Sequence, residues 1–544
     1  MIGIDLGTTN TRVIAQRNAL PHLVINESGG YETPTAIVVD QTDGLLVGGV
    51  VRSRFVSHPT QTIVPFRQLL GKPLDAVDTS ELHYSIAADE DGMPLIEVDG
   101  RRYRPVSLCA ALLSRLAKDA VIRSDSAAQS VVLTMPPGAD ARYRAALRHA
   151  VADAGLSLKV FIEDPIAAVL GCGLDDTPGS LIAVYDFGGH SFSISIVAME
   201  RTGPRIRASE TLPNVGCVNI DRAMAKWLMA AYRKKRKVDL AETPKAYRRL
   251  LQETERVRVM LSRLYETPLV LPFAVDGEKK AHLATRVKRM QLERFTDAVL
   301  RQTLPPCQRA FAAAGIQLSD LSEVLVVGGP GRMPRLHEFV RTVFGRKIPI
   351  TIAPLEAIAE GAWLSGAFLT GAADPSKPRP RKGVQLSENP TLEINKMVDR
   401  MRDGPDPTAV PSPKLKPPSR PTPPQPAEQD SAAAFALQLD GDEEESYSSF
   451  SFIEITDEEL AAETGAELEP SLGDHPLAAA TGPEAAPPPA EPAAARSADE
   501  SSLPAEAPPD EEDRSREHRR PPTWVVAAVA ILVGLGILGL VLVS

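Results

Sequence analysis

The chain has 544 residues and a net charge of −10, enough length for roughly three or four ordinary domains, and no nucleic-acid partner is expected. Of its 48 prolines, 26 fall between Gly371 and Pro522, where 31 acidic side chains face 15 basic ones. Such a stretch buries too little apolar surface to offset chain entropy, which excludes a packed domain there.

The segments before it are periodic, apolar and punctuated by glycine. Met1-Ile2-Gly3-Ile4-Asp5-Leu6-Gly7-Thr8-Thr9-Asn10 runs a strand over Ile2–Leu6 into one carboxylate, a glycine and two hydroxyls. An aspartate at a strand end can anchor Mg²⁺ through water, and a glycine lets backbone N–H groups close around phosphate oxygens. The same residues also suit an ordinary hairpin. Further strands are predicted at Ala36–Val39, Ser130–Thr134, Leu181–Asp186 and Val324–Val327. Helices are predicted at Pro105–Ile122, Ala139–Ala154, Pro165–Gly171, Ile220–Arg236, Lys245–Tyr265, Leu292–Ala314 and Pro334–Phe344. Strands alternating with helices imply an α/β head with parallel sheets covered on both faces.

The acid-glycine turn recurs at Val184-Tyr185-Asp186-Phe187-Gly188-Gly189-His190-Ser191, about 180 residues after the first. That repetition suggests a duplicated domain with nucleotide held between the halves. A third glycine turn, Val326-Val327-Gly328-Gly329-Pro330-Gly331-Arg332, also follows an apolar strand. The small-residue segments Pro165–Gly171 and Glu360–Gly366 suit two helices that cross closely, as a hinge between lobes or as ordinary tight packing. Four distant cysteines (Cys109, Cys172, Cys217 and Cys307) have no metal-type spacing and read as core residues in a reducing compartment. No signal peptide precedes the first strand, so the head is not expected to be exported by that route.

At the other end, Trp524–Val543 is twenty residues without a charge. Its helical length matches the hydrocarbon thickness of a bilayer. Arg514, Arg516, His518, Arg519 and Arg520 stand just before it and favour the cytoplasmic side. The expected organisation is a head over 1–370, a disordered acidic linker over 371–522 and a transmembrane helix over 523–544. The protein is then a single-pass, C-terminally anchored membrane protein with its head in the cytoplasm. Within the linker, Asp440–Asp457 mixes aromatic residues with acids and reads as a docking segment for a basic surface or as a solvated spacer. The basic run Lys377–Lys382 reads as a flank of the head, with anionic lipid as an alternative contact.

Taken in order, IGIDLGTTN, PTQTIVPFRQLLGK (Pro59–Lys72), VVLTMPPGADARYRAALRHAVADAGL (Val131–Leu156), IEDPIAAVLGCGL (Ile162–Leu174), VYDFGGHSFSISI (Val184–Ile196), NVGCVNIDRAM (Asn214–Met224), RRLLQETERVRVMLS (Arg248–Ser262), VLVVGGPGRMP (Val324–Pro334) and IAPLEAIAEGAWLSGAFL (Ile352–Leu369) carry a resemblance. The head resembles the nucleotide-binding domain of the DnaK-type, seventy-kilodalton heat-shock chaperones. That resemblance implies an actin-like ATPase fold, with two lobes around a nucleotide cleft that takes ATP or ADP with Mg²⁺. It implies that Asp5 and Asp186 hold Mg²⁺ through water, and that Gly7, Thr8, Thr9, Asn10, Gly188, Gly189, Ser191 and Gly216 hold the phosphates. Glu255, Arg258, Ser262, Gly328, Gly329 and Arg332 then hold the adenosine. Glu255, Arg258 and Ser262 are spaced to share one helix face.

The departures bear on catalysis. Where the family has a catalytic Lys, this chain has Arg67, whose planar guanidinium cannot place one compact ammonium beside an attacking water. A family Glu becomes Asp164, and these two with Asp186 are the candidate catalytic groups. The third glycine of the second turn becomes His190, and a later acid becomes Ser193. Near NVGCVNID, a Gly and a Glu become Cys217 and Val218. Around the base, a stacking Arg becomes Val259 and an Asp becomes Leu355. Binding draws on many contacts, whereas misplacing one group can cost roughly a hundredfold in rate. ATP hydrolysis is therefore expected to be slow or absent. No run of alternating strands appears between Gly371 and Pro522, so the family's client-binding module is not expected there, and protein-folding work would need a co-chaperone, a client or an atypical surface. Three readings stand: a membrane-anchored, nucleotide-gated chaperone-type switch; a catalytically inactive scaffold that recruits partners to the membrane; and an actin-like filament former or small-molecule kinase.

Overall fold

The computed structural model describes residues 1–386 apart from 19, 43, 59, 80, 81, 83, 126, 237–239, 241–243, 273–281, 346, 376 and 378. Most of the expected linker, the segment Asp440–Asp457 and the expected anchor Trp524–Val543 lie outside the described residues. Among the described residues, no helix is long and apolar enough to cross a membrane.

Two sheets of the same design organise the head. In the first, β1 (Ile2–Leu6), β2 (Asn10–Arg17) and β3 (Leu20–Leu23) form an antiparallel meander, and β4 (Ser130–Met135) and β5 (Ser157–Glu163) extend β1 in parallel. In the second, β6 (Leu181–Phe187), β7 (Ser191–Glu200) and β8 (Gly203–Pro213) repeat the meander, and β9 (Glu323–Val327) and β10 (Ile350–Ile352) repeat the parallel extension. The orders β3-β2-β1-β4-β5 and β8-β7-β6-β9-β10 match strand for strand, which is the duplication that the repeated acid-glycine turn suggested. The sheets are therefore mixed rather than parallel. Each meander is a pair of tight hairpins, and these hairpins carry the two turns.

The described helices are α1 (Val50–Ser57), α2 (Pro105–Arg123), α3 (Ala141–Asp153), α4 (Asp164–Gly171), α5 (Cys217–Arg236), α6 (Pro244–Leu261), α7 (Arg289–Leu300), α8 (Leu304–Ala314), α9 (Pro334–Phe344) and α10 (Ala357–Leu369). Several starts are legible locally. Pro105 and Pro334 open α2 and α9, where a missing N–H costs nothing. Asp140 caps α3 by accepting the N–H of Tyr143 at 2.7 Å. The single helix expected over Leu292–Ala314 is two helices, α7 and α8, joined by a 3₁₀ turn at Arg301–Thr303. Pro305 and Pro306 offer no N–H to the carbonyls of the preceding turn, so they end one helix and sit in the first turn of the next. The helix expected to reach Tyr265 stops at Leu261, and Glu266–Leu271 pairs instead with Leu283–Lys288.

Helices on both faces bury the sheets. Ile2, Ile4 and Leu133 pack with Leu108, Leu112 and Leu147 in one lobe, and Tyr185 and Phe192 pack with Trp227, Leu228 and Phe344 in the other. All four cysteines are buried and free. Between the lobes α4 and α10 cross in close contact. A Cβ on Gly171 would collide with the carbonyl of Ala357, and one on Gly361 with that of Ala167. Beyond α10 the chain turns back onto the head. Arg379 donates to the carboxylate of Asp175 and, at 3.0 Å, to the carbonyl of Leu170. Arg381 pairs with Asp176 at 3.2 Å and with Glu323 at 3.5 Å, and Lys382 pairs with Glu360. β11 (Val384–Gln385) then joins the edge of β10. Arg379, Arg381 and Lys382 of the basic run are thus held by acids of the head, and the packed head continues past residue 370.

Candidate functional site: a cleft between two acid-glycine turns

In each meander the first hairpin closes through three residues. Gly7-Thr8-Thr9 joins β1 to β2, and Gly188-Gly189-His190 joins β6 to β7. The registers correspond, with Asp5 opposite Arg12 and Asp186 opposite Ser193. The two turns meet. Thr9 Oγ1 and His190 Nδ1 share a hydrogen bond at 3.1 Å. A side chain on Gly189 would collide with Thr9, so only glycine permits this approach. Burial, with Arg222 nearby, pushes the His190 pKa down to about 4, so the imidazole is neutral at physiological pH.

Around this contact lies a cavity of about 360 Å³. Asp5, Arg67, Asp164 and Asp186 line it, together with Gly7, Thr8, Thr9, Asn10, Gly188, Gly189 and Ser191. Glu255, Arg258, Ser262, Gly328, Gly329 and Arg332 line it as well, so stretches far apart in the sequence converge. Gly216 does not line the cavity. Its N–H donates to Asn219 Oδ1 at 2.9 Å, and a Cβ there would collide with the carbonyls of Gly188 and Gly189. Its place is against the second turn, which it supports. His190 also stays out of the lining, its ring turned to Thr9.

The acids carry an electrostatic load. Burial raises the Asp5 pKa to about 6, with Arg12 opposing the rise and Asp164 adding to it. Burial raises Asp186 to about 7, reinforced by Asp164 and Asp5. Asp164 is raised by burial against the pull of Arg67. Arg67 Nε donates to the hydroxyl of Tyr143 at 3.0 Å, and its Nη2 lies 3.9 Å from Asp164 Oδ2, too far for a hydrogen bond. Burial works against the Arg67 charge, and Tyr143 and Asp164 outweigh it, so its pKa is raised. Arg67 Nη2 and Asp164 Oδ1 are buried with no hydrogen-bond partner.

These features fit a divalent cation and a polyphosphate. Carboxylates raised chiefly by burial gain from a cation, and the orphaned donor and acceptor lack the partners that buried polar atoms ordinarily have. Among the described residues no three His, Cys, Asp or Glu side chains stand close enough to grip a metal directly, so a cation would be held through water.

At the opposite end, Arg258 on α6 grips Asp221 on α5 with Nε at 2.7 Å and Nη2 at 3.1 Å, both groups buried. Ser262, just past the helix, donates to the Arg258 carbonyl at 3.3 Å. Gly328 has φ 100°, and a Cβ there would collide with the carbonyl of Phe187. Val259 is half exposed yet lines the cavity, as do Leu355 and Cys217, the latter with its thiol pushed up to about 12 by burial.

Sequence reasoning missed Arg12, Glu32, Tyr143 and Asp221. Arg12 and Glu32 line the cavity, and a three-residue hairpin over Gly7–Thr9 would have placed Arg12 opposite Asp5. Tyr143 and Asp221 reach the site through helix packing and leave no local signal.

Comparison with known proteins agrees with this geometry. A family model described as Hsp70 protein matches residues 1–401. The chain is 31% identical over 376 residues to the mitochondrial heat shock 70 kDa protein of Solanum tuberosum, covering 68% of this chain and 55% of that protein. It is 31% identical over 380 residues to the mitochondrial-type heat shock protein 70 of Encephalitozoon hellem, covering 69% and 64%. The corresponding protein of Pisum sativum is 30% identical over 376 residues, covering 68% and 56%. The chain thus spans from about half to just under two thirds of the length of these relatives. With paired mixed α/β sheets about one cleft and a family match over its whole described part, the chain belongs to the Hsp70 family and carries that family's nucleotide-binding domain.

Proposed function

We propose that this chain binds ATP or ADP with Mg²⁺ in the cleft between its lobes and works as a nucleotide-gated, chaperone-type switch tethered to a membrane by Trp524–Val543. The meeting of two acid-glycine turns at Thr9 and His190, with Asp5, Asp164 and Asp186 buried beside them, carries the nucleotide reading. When bound, Mg²⁺ would neutralise phosphate charge, held through water by Asp5 and Asp186. The turns at Gly7–Asn10 and Gly188–Ser191 cradle the phosphates, and closure of the lobes excludes water. The purine and ribose lie toward Arg258, Ser262 and Gly329.

Hydrolysis is slow in this reading. The guanidinium of Arg67 is tied to Tyr143 and directed at Asp164, so it cannot follow an attacking water. Ser193, across the strands from Asp186, brings no carboxylate to the metal side. These two features equally support a catalytically inactive scaffold whose nucleotide fixes lobe closure while the head recruits a client or co-chaperone. Calorimetric titration with Mg-ATP and Mg-ADP, followed by single-turnover hydrolysis with and without candidate co-chaperones, separates the readings. Binding with turnover that a co-chaperone raises supports the switch; binding with none supports the scaffold; no binding rejects both. For the tether, the full chain is expected in the membrane fraction of cells and a chain truncated after residue 522 in the soluble fraction. Full chain recovered as soluble protein would refute the anchor.

A further inference from the structure

Asp5 and Arg12 stand directly opposite each other on β1 and β2, so their side chains leave the same face of the sheet, toward the cleft. The Arg12 side chain is only 11% exposed. Its Nη1 lies 3.5 Å from Asp5 Oδ2, and its Nη2 grips Glu32, which also has Arg52 at 4.0 Å. A second buried guanidinium, Arg67, lies among the same acids. The charged groups at this end of the cleft include Asp5, Asp164, Asp186 and Glu32 against Arg12, Arg67 and Arg52, with Arg332 also in reach of Glu32 and Arg12. Across the second hairpin, Asp186 faces the neutral Ser193.

A divalent cation in a phosphate cleft neutralises the acids and attracts the phosphate. A fixed guanidinium at Asp5 does part of both before any cation arrives. It makes a long, 3.5 Å contact with one carboxylate oxygen, and it offers charge beside the phosphate turn in a site where low dielectric strengthens each interaction. It also reduces what a cation would gain at Asp5, because a positive charge already stands beside that carboxylate.

We infer that Arg12 supplies at Asp5 part of the charge that a divalent cation would otherwise bring, so that this chain holds nucleotide with only weak dependence on Mg²⁺. The inference rests on the nucleotide-binding reading above, and one set of titrations tells the two apart.

The full chain is titrated with ADP in Mg²⁺ and again in EDTA, alongside Arg12→Gln and Arg12→Lys, with thermal melts of each variant. The wild type is expected to lose less than about tenfold in affinity when Mg²⁺ is removed. Arg12→Gln is expected to stay within about tenfold of wild type in Mg²⁺ but to fall more than about a hundredfold in EDTA, with Arg12→Lys close to wild type in both. Should Arg12→Gln fail to fold, the wild-type ratio alone decides. A wild-type loss of about a hundredfold or more in EDTA overturns the inference and leaves nucleotide binding standing. An Arg12→Gln chain that melts as wild type and responds to EDTA as wild type also overturns it. Absence of binding in both buffers overturns both.

Discussion

Oγ1 of Thr9 and Nδ1 of His190 lie 3.1 Å apart, so a single hydrogen bond joins the two glycine turns of opposite lobes. His190 stands where the family has glycine, in the turn that would hold the phosphates. The imidazole faces the other turn and leaves the cavity open, and with its pKa near 4 it stays neutral there. Thr9→Val keeps the shape and removes the bond. It should cost about 1 kcal/mol of stability and weaken Mg-ADP binding about fivefold, read by thermal melts and calorimetry. Unchanged melting and affinity would show that the bond has no part in joining the lobes.

Arg67 and Asp164 form the second relationship with a consequence. Their 3.9 Å separation and the anchoring of Arg67 by Tyr143 keep the guanidinium in place rather than beside a reacting water. Arg67→Lys combined with Asp164→Glu should raise single-turnover ATP hydrolysis by about tenfold or more, with nucleotide affinity changed by less than about threefold. A double variant no faster than wild type would show that Arg67 and Asp164 do not limit turnover, with Ser193 the next candidate.

Acidity should act on ligand binding through Asp5 and Asp186, which burial raises to about 6 and about 7. An acid raised on folding stabilises the unliganded fold fully below its unfolded pKa, and that contribution is lost as pH rises through the folded pKa. A cation-bearing nucleotide needs both carboxylates ionised. Its stabilising shift in melting temperature should therefore grow from about pH 5.5 to about pH 8, with proton release on binding at the lower end. Asp186→Asn should flatten that trend. A shift that is constant or shrinks over this range would contradict the assignment of these acids.

Arg258 and Asp221 make a buried, two-point ion pair across α5 and α6, with Asp221 raised to about 6 by burial despite its partner. Arg258→Met would strand that carboxylate and should destabilise the protein by about 3–5 kcal/mol at neutral pH, measured by urea unfolding. Adding Asp221→Leu should recover most of the loss, because paired removal leaves no buried charge. A single variant as stable as wild type would mean that the pair is open to water.

What could be read from sequence was what is encoded locally. Asp5-Leu6-Gly7-Thr8-Thr9 and Asp186-Phe187-Gly188-Gly189 announce a strand end and a tight turn within a few residues, and their repetition announces the duplicated sheets. The crossing of α4 and α10 was legible in Gly171 and Gly361 for the same reason. The antiparallel meanders were not, although β7 opens on the alternation Ser191-Phe192-Ser193-Ile194-Ser195-Ile196: one strand's pattern does not say which neighbour it pairs with or in which direction. The Pro305-Pro306 break was present in the sequence and was overridden by the apolar periodicity around it. Arg12 needed the hairpin register, and Tyr143 and Asp221 needed the packing of helices far apart in the chain. Gly216 was assigned to phosphate on resemblance alone, while its N–H is already given to Asn219.

A crystal structure of the full chain grown with Mg-ADP would decide the matter. The expected density places the phosphates between Gly7–Asn10 and Gly188–Ser191, a hydrated cation beside Asp5 and Asp186, and the purine against Arg258, Ser262 and Gly329. A cleft left empty at saturating nucleotide, or nucleotide bound anywhere else on the head, would contradict it.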